Sequence, residues 1–205
     1  IFLGAEHREC MKYLSVNFMK KFKGKIFEDN LWPASYTYTP SRHATYMQNM
    51  YTQPKVKEYL EQHHTKLWAR SKFGELSKVD YVCNSLAEIF SSKIAHLKSL
   101  AMVLLLDAIR QYIMVKIDFR KRICARKFVG HKLVPKVISL MNKRSKEIRA
   151  IKMRMIRCFN TLAEVYATDK LGTERRYHVD IANRTCSCRK WQITGQPCHH
   201  ALYLS

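Results

Sequence analysis

Acidic residues are scarce in this 205-residue chain: 16 Asp and Glu stand against 37 Lys and Arg, a formal charge of +21. A compact domain so one-sided repels itself and gains from a polyanionic neighbour, nucleic acid being the leading class. Glycine and proline are also few, six and five residues, and unevenly spread. Neither occurs from Glu75 to Val129 or from Lys136 to Leu171, so both stretches are open to long helices. Long apolar runs are missing. The longest, Leu100 to Leu106, is far short of the ~20 residues a spanning helix needs, so neither a membrane span nor a membrane partner is expected. The opening IFLGAEHREC has no basic region, apolar core or small-residue cleavage site, and no secretory leader is expected. It also lacks an initiator Met, and the chain reads as a piece of a longer one.

What is present suffices for a core: 47% hydrophobic and 11% aromatic residues fit one domain with a small appendage. Seven cysteines are an odd number, and three of them crowd into thirteen residues beside histidines. That pattern suits metal binding in a reducing compartment, nucleus or cytoplasm, better than a disulfide framework.

Apolar spacing reads as mainly α. Met11, Leu14, Phe18 and Phe22 recur at helical intervals, with Gly24 placed to cap that helix, and a further helix is expected from Tyr51 to Trp68, beginning near Pro54. Leu86, Ile89, Phe90, Ile94, Leu97, Ala101, Leu104 and Leu105 trace one buried helical face, and Ile109, Ile113, Ile117 and Phe119 a second amphipathic segment. After Thr161 the character changes: LAEVYAT and RYHVDI read as strands joined by DKLGTE, where Gly172 can take a positive φ.

That hairpin leads into TCSCRKWQITGQPCHHA, whose spacing is Cys-x-Cys-x9-Cys-x-His. Cys186, Cys188, Cys198 and a histidine would supply three thiolates and one imidazole, a closed tetrahedral set for a structural Zn²⁺. Gly195 and Pro197 can bend the loop so that the second pair reaches the first. Chemistry alone leaves His199 and His200 both eligible. Trp191 is expected to pack over the thiolates, with Trp32 and Trp68 as core anchors.

The segment YHVDIANRTCSCRKWQITGQPCHHALYL resembles the SWIM zinc finger of plant Mutator-like transposases and of the regulators descended from them. The resemblance favours His200 as the fourth ligand, with His199 pointing outward. Upstream, AEHRECMKYLSVNFMKKFKG, LWPAS, KLWARSKF and CNSLAEIF follow the order of similar landmarks in that family. Its helix with a Cys-x-x-His pair has Cys10 here but Tyr13 in place of the histidine, so Cys10 reads better as a small buried hydrophobe.

Such transposases cut and join DNA on an RNase H-like core in which three carboxylates hold Mg²⁺ or Mn²⁺. By resemblance Glu88 would be the third carboxylate. Cys83, Ile89 and Ser91 depart from the expected neighbours, and a solvated or ion-paired helix residue is the plainer reading of Glu88. No aspartate of the chain sits in a matching context, so the first two carboxylates are expected before residue 1, and the chain alone is not expected to be an enzyme.

Between Lys116 and Arg157 fifteen Lys or Arg face only Asp118 and Glu147. Val137, Ile138, Leu140, Met141, Ile148, Ile151, Met155 and Ile156 interleave with them, as in helices with one buried and one cationic side that run along phosphates. Lys121, Arg122, Arg126, Lys127, Lys143, Arg144 and Lys146 are the candidate contacts; a merely solvated basic face is the alternative.

The reading as a whole is a helical region, residues 1–157, that adjoins an RNase H-like core outside the chain, then a hairpin and ββα-like finger, residues 158–205. It binds Zn²⁺ and contacts DNA or protein in the nucleus, with no small-molecule substrate. Alternatives are a DNA transposase whose aspartates lie upstream, for which Mg²⁺ or Mn²⁺ would be needed, a transcriptional regulator of the far-red-response type, or a decayed element.

Overall fold

The computed structural model describes residues 6–130, 134–151, 153–157, 159–168 and 172–204. It divides into two compact units: Ile1–Asn84 with Ser145–Ser205, and Ser85–Arg144.

The first unit opens with four short helices, α1 (Met11–Lys21), α2 (Lys25–Tyr36), α3 (Pro40–Met50) and α4 (Pro54–His63). Proline starts both α3 and α4 at the first helical position, where its fixed φ and missing N–H cost nothing. The expected spacing on α1 holds, with Met11, Leu14 and Phe18 fully buried. Phe18, Phe22, Phe27 and Tyr59 form an aromatic cluster with centroids 4.9 to 6.1 Å apart. Gly24 does not cap α1. That helix ends at Phe22 in extended backbone, and Gly24, at φ 135°, opens α2 instead, a conformation that suits glycine. The expected Tyr51 to Trp68 helix is shorter, ending at His63. His64 then leaves the helix and its Nδ1 meets Glu9 Oε1 at 2.6 Å. Trp68 is buried in this core as expected, whereas Trp32 is half-buried and stacks on Tyr36.

After α7 (Pro135–Ala150) comes a four-stranded antiparallel meander in sequence order: β1 (Met153–Arg157), β2 (Leu162–Thr168), β3 (Glu174–Asp180) and β4 (Thr185–Cys186). Alternation on β2 buries Ala163, Val165 and Ala167 on one side. Met155 and Ile156, expected on a helix, lie on β1 opposite Val165 and Glu164. The short run MRMIR fits both periods, and pairing with the alternating β2 decides for the strand. Gly172 takes φ 80°, while Asp169, Lys170 and Leu171 of the expected turn lie outside the described residues. Two short helices, α8 (Lys190–Thr194) and α9 (His199–Leu202), close the chain.

Helical body and sheet join through α8 and the turn before it. Ile193, fully buried, belongs to the same apolar cluster as Phe18, Leu31, Trp68 and Phe73, and burial of such a side chain contributes about 1.5–3 kcal/mol. The Arg189 guanidinium donates to the carbonyls of Ser71 and Phe73, and Lys78 Nζ donates to the Gln192 carbonyl at 2.8 Å.

The second unit holds α5 (Ser85–Lys93), a 3-10 turn (Ala95–Leu97), the 26-residue α6 (Met102–Lys127) and the first part of α7. Of the expected buried face only Ile94, between the helices, is buried: Leu86 is 63% exposed and Leu104 61%, and α5 and α6 bury no side chain among the described residues. The stripe is also broken, because the chain leaves the helix around Ile94 and resumes it at Met102. Apolar periodicity fixes the helical state but names no partner. Among the described residues no helix is long and apolar enough to cross a membrane.

Candidate metal centre

Cys186 stands at the end of β4, pinned on both sides by Gln192. Its N–H donates to Gln192 Oε1 at 3.2 Å, and Gln192 Nε2 returns a bond to its carbonyl at 2.9 Å. The chain then reverses tightly: Arg189 is left-handed at φ 62°, and its N–H reaches back to the Cys186 carbonyl at 2.8 Å. This turn lets Cys186 and Cys188, two residues apart, face the same point. Gly195, at φ 69°, ends α8, and Pro197 follows, delivering Cys198 to the start of α9 and His200 to its first turn.

The Sγ atoms of Cys186, Cys188 and Cys198 and a ring nitrogen of His200 all lie within 4.8 Å of one another. His200 Nδ1 is 3.6 Å from Cys186 Sγ and 3.9 Å from Cys198 Sγ. A tetrahedral zinc with bonds near 2.3 Å to sulfur and 2.0 Å to nitrogen would set such edges at about 3.6 Å. The cage is therefore already close to the size of the ion, and its soft, closed donor set fits zinc. The two histidines left open by spacing diverge: His199 Nε2 turns to Glu147 Oε2 at 3.1 Å. Tyr177 stacks flat on the His200 ring at 3.8 Å, and Trp191, buried, packs with Cys186 and Cys198 as expected.

Charge gives the same answer. Hydrogen bonds from Cys186 and Cys188 hold the Cys198 thiol well below the ordinary thiol range. Cys186, donating to both neighbours and buried, is driven far above it. On Cys188 the bond to Cys186 pulls down, but Cys198 and burial win and push it up to about 12. Three buried thiolates need a dication among them, so metal uptake must release protons.

Residues 177–204 match the family of the SWIM zinc finger. No curated protein and no solved structure matches the chain. The SWIM finger carries a structural Zn²⁺ on its Cys3His cluster, and the matched segment lies within the small sheet and helices at the C-terminus of a mostly helical chain.

The other predicted residues lie apart from this centre. Glu88 is half-buried on α5 and belongs to no group of three metal-ligating side chains among the described residues. Cys10 is half-buried, its Sγ accepting the Asn84 N–H at 3.3 Å, and Tyr13 is exposed. Lys121, Arg122, Arg126 and Lys127 are exposed on α6, and Lys143 and Lys146 on α7, whereas Arg144 is buried. Arg122 pairs with Asp118 at 2.5 Å in solvent. Sequence reasoning missed Arg189 and Ile193, which seat the finger on the helical body. The available signal was an apolar residue standing inside an otherwise polar ligand loop.

Proposed function

We propose that the chain is the C-terminal part of a Mutator-like transposase that works on DNA in the nucleus, with a zinc-held finger bracing a helical body and a basic helix gripping phosphates. The observation that carries this reading is the basic stretch: fifteen Lys or Arg between 116 and 157, with four of the candidates exposed on α6. Contacts of this kind give affinity without sequence choice. The Arg122–Asp118 pair does not stand in the way, because an exposed ion pair is worth little and a phosphate can replace the carboxylate. The likeness of the landmark segments supports the transposase origin. Glu88 would join upstream aspartates in holding Mg²⁺ or Mn²⁺ in the complete protein, and this chain alone has no complete catalytic site.

The altered neighbours of Glu88, Cys83, Ile89 and Ser91, favour a second reading, a transposase-derived regulator that binds DNA or protein without cutting. The coding sequence upstream of residue 1 separates the two, since two aspartates in an RNase H-like segment would support the enzyme. DNA contact is tested by titrating duplex DNA across salt. Changing Lys121, Arg122, Arg126 and Lys127 to Glu should flatten the slope of log K against log salt by about 3 to 4, at roughly 0.9 for each phosphate no longer neutralised. An unchanged slope would remove α6 from the interface.

A further inference from the structure

In the first unit, the elbow between α2 and α3 and the finger flank an open groove of about 420 Å³ that runs up to the zinc centre, whose ligands Cys188, Cys198 and His200 form one end of it. This lies in the range of about 300–1,000 Å³ typical of small-ligand sites. Four tyrosines line it, Tyr36, Tyr38, Tyr46 and Tyr177, together with Arg42 and Lys190; neither a carboxylate nor a branched aliphatic side chain is among the lining residues. Aromatic faces with cations and without acids suit a ligand that is both planar and anionic.

Three of the rings are held in place. The Arg70 guanidinium sits 4.8 Å from the Tyr36 ring centre and 5.1 Å from that of Tyr38, and Lys190 Nζ lies 5.9 Å from Tyr38 on the finger side. The Tyr38 hydroxyl donates to Asp80, whose carboxylate Arg70 also pairs at 3.2 Å, so that acid is already neutralised, and a second, Glu147, meets Nε2 of the lining His199 at 3.1 Å. Tyr177 is braced by its stack on His200. Rings fixed beforehand lose little conformational freedom when a ligand docks. Arg42 and Tyr46, four residues apart on α3, share one face of that helix.

We infer that this groove binds an unpaired nucleotide within single-stranded nucleic acid, its base beside Tyr46 and Tyr177 and its phosphate at Arg42 and Lys190. A zinc held by three thiolates and one imidazole carries a net charge of −1, so the phosphate is kept away from the metal and toward the two cations. A small inorganic anion would leave the rings unused, and an acidic peptide would need more cations and fewer rings. Stacking together with phosphate pairing is how proteins hold single strands without reading sequence. The inference rests on the nucleic-acid reading above but uses different residues and a different form of the ligand.

The experiment is an anisotropy titration of labelled oligothymidine, the same strand in a duplex, and an oligoglutamate competitor, on the full zinc-loaded chain. Tyr46→Ala and Arg42→Glu should each weaken oligothymidine binding about fivefold or more, the low end of the loss of one stacked base, and leave duplex binding unchanged. Tyr46→Phe should retain affinity, and zinc content and far-UV circular dichroism of the variants should match the parent. Unchanged oligothymidine affinity in both variants overturns the inference. So does oligoglutamate displacing the strand at equal concentration, which would make the groove an acidic-peptide site. A parent that binds duplex but not oligothymidine ends the groove proposal while the α6 reading stands. An α6 glutamate variant that keeps duplex affinity while Tyr46→Ala loses oligothymidine leaves the groove standing and removes α6.

Discussion

The two units carry the same kind of apolar helical pattern with opposite outcomes. On α1 and α2 the stripe meets neighbours, and Met11, Leu14, Phe18, Phe27 and Leu31 are fully buried. On α5 and α6 an equally regular stripe stays in solvent, with Leu86, Ile89, Leu104 and Ile117 all exposed. The difference lies in what surrounds each helix. The first unit has short helices turned back on one another by Gly24, Pro40 and Pro54, and a finger that pushes Ile193 into their core. The second runs Met102–Lys127 without any such break, so it cannot turn back on itself, and Phe90 of α5 meets it at Tyr112, ring centroids 6.3 Å apart. Periodicity is thus a statement about one element, and burial one about pairs of elements.

The sharpest way to break the contrast is to remove what holds the finger. Cys186→Ser with Cys198→Ser should abolish zinc binding, measured as a fall from one zinc per chain to none by elemental analysis. It should also unfold β3, β4, α8 and α9, because coordination worth about 10–16 kcal/mol is folding free energy in so small a module. Retention of full zinc would refute the ligand set. Next in size, Phe18→Ala should cost about 3–5 kcal/mol in denaturant unfolding. Leu104→Ala, with an exposed side chain, should stay within about 0.5 kcal/mol. Comparable losses at the two positions would mean that α6 is covered in solution.

How much of this was legible in the sequence depends on how local the cause was. The finger was, because Cys186, Cys188, Cys198 and His200 lie within fifteen residues and their geometry is set by one loop. The strands LAEVYAT and RYHVDI were also legible, from their alternation and the glycine between them. The choice between His199 and His200 was open on chemistry and favoured His200 by resemblance alone; in the fold His200 faces the three cysteines, while His199 meets Glu147, fifty-two residues away. Gly24 was misassigned because a glycine with positive φ serves equally to end one helix or begin the next. The groove was invisible for the same reason as the burial of Ile193: Tyr46 and Lys190 come together only once the finger is seated.

Ile193 sharpens the comparison further, as the point where finger and helical body share one core. Ile193→Ala should cost about 2–4 kcal/mol through the cavity it leaves in the core of the helical body, while the zinc content stays at one. A loss of zinc alongside stability would show that the loop needs the helical body to hold its ligands. Stability unchanged would mean that the seat of α8 on the helical body is dispensable.

The smallest effect concerns His43, buried on α3 with Nδ1 at 2.9 Å from the Ala34 carbonyl and its ring tilted against Trp68. Burial lowers its pKa, helped by the charge of Lys72, against the partial support of that carbonyl. Below the unfolded value of about 6.5 the unfolded chain therefore takes up a proton that the folded chain resists. Stability contributed by neutral His43 is complete above that pH and lost as pH falls through it, with a slope of at most about 1.4 kcal/mol per pH unit for one proton. His43→Gln should flatten this limb in denaturant titrations between pH 8 and 5. Because α5 and α6 carry no such buried group among the described residues, their helicity should not follow the same limb. An identical pH slope in parent and variant would assign the acid sensitivity to other groups.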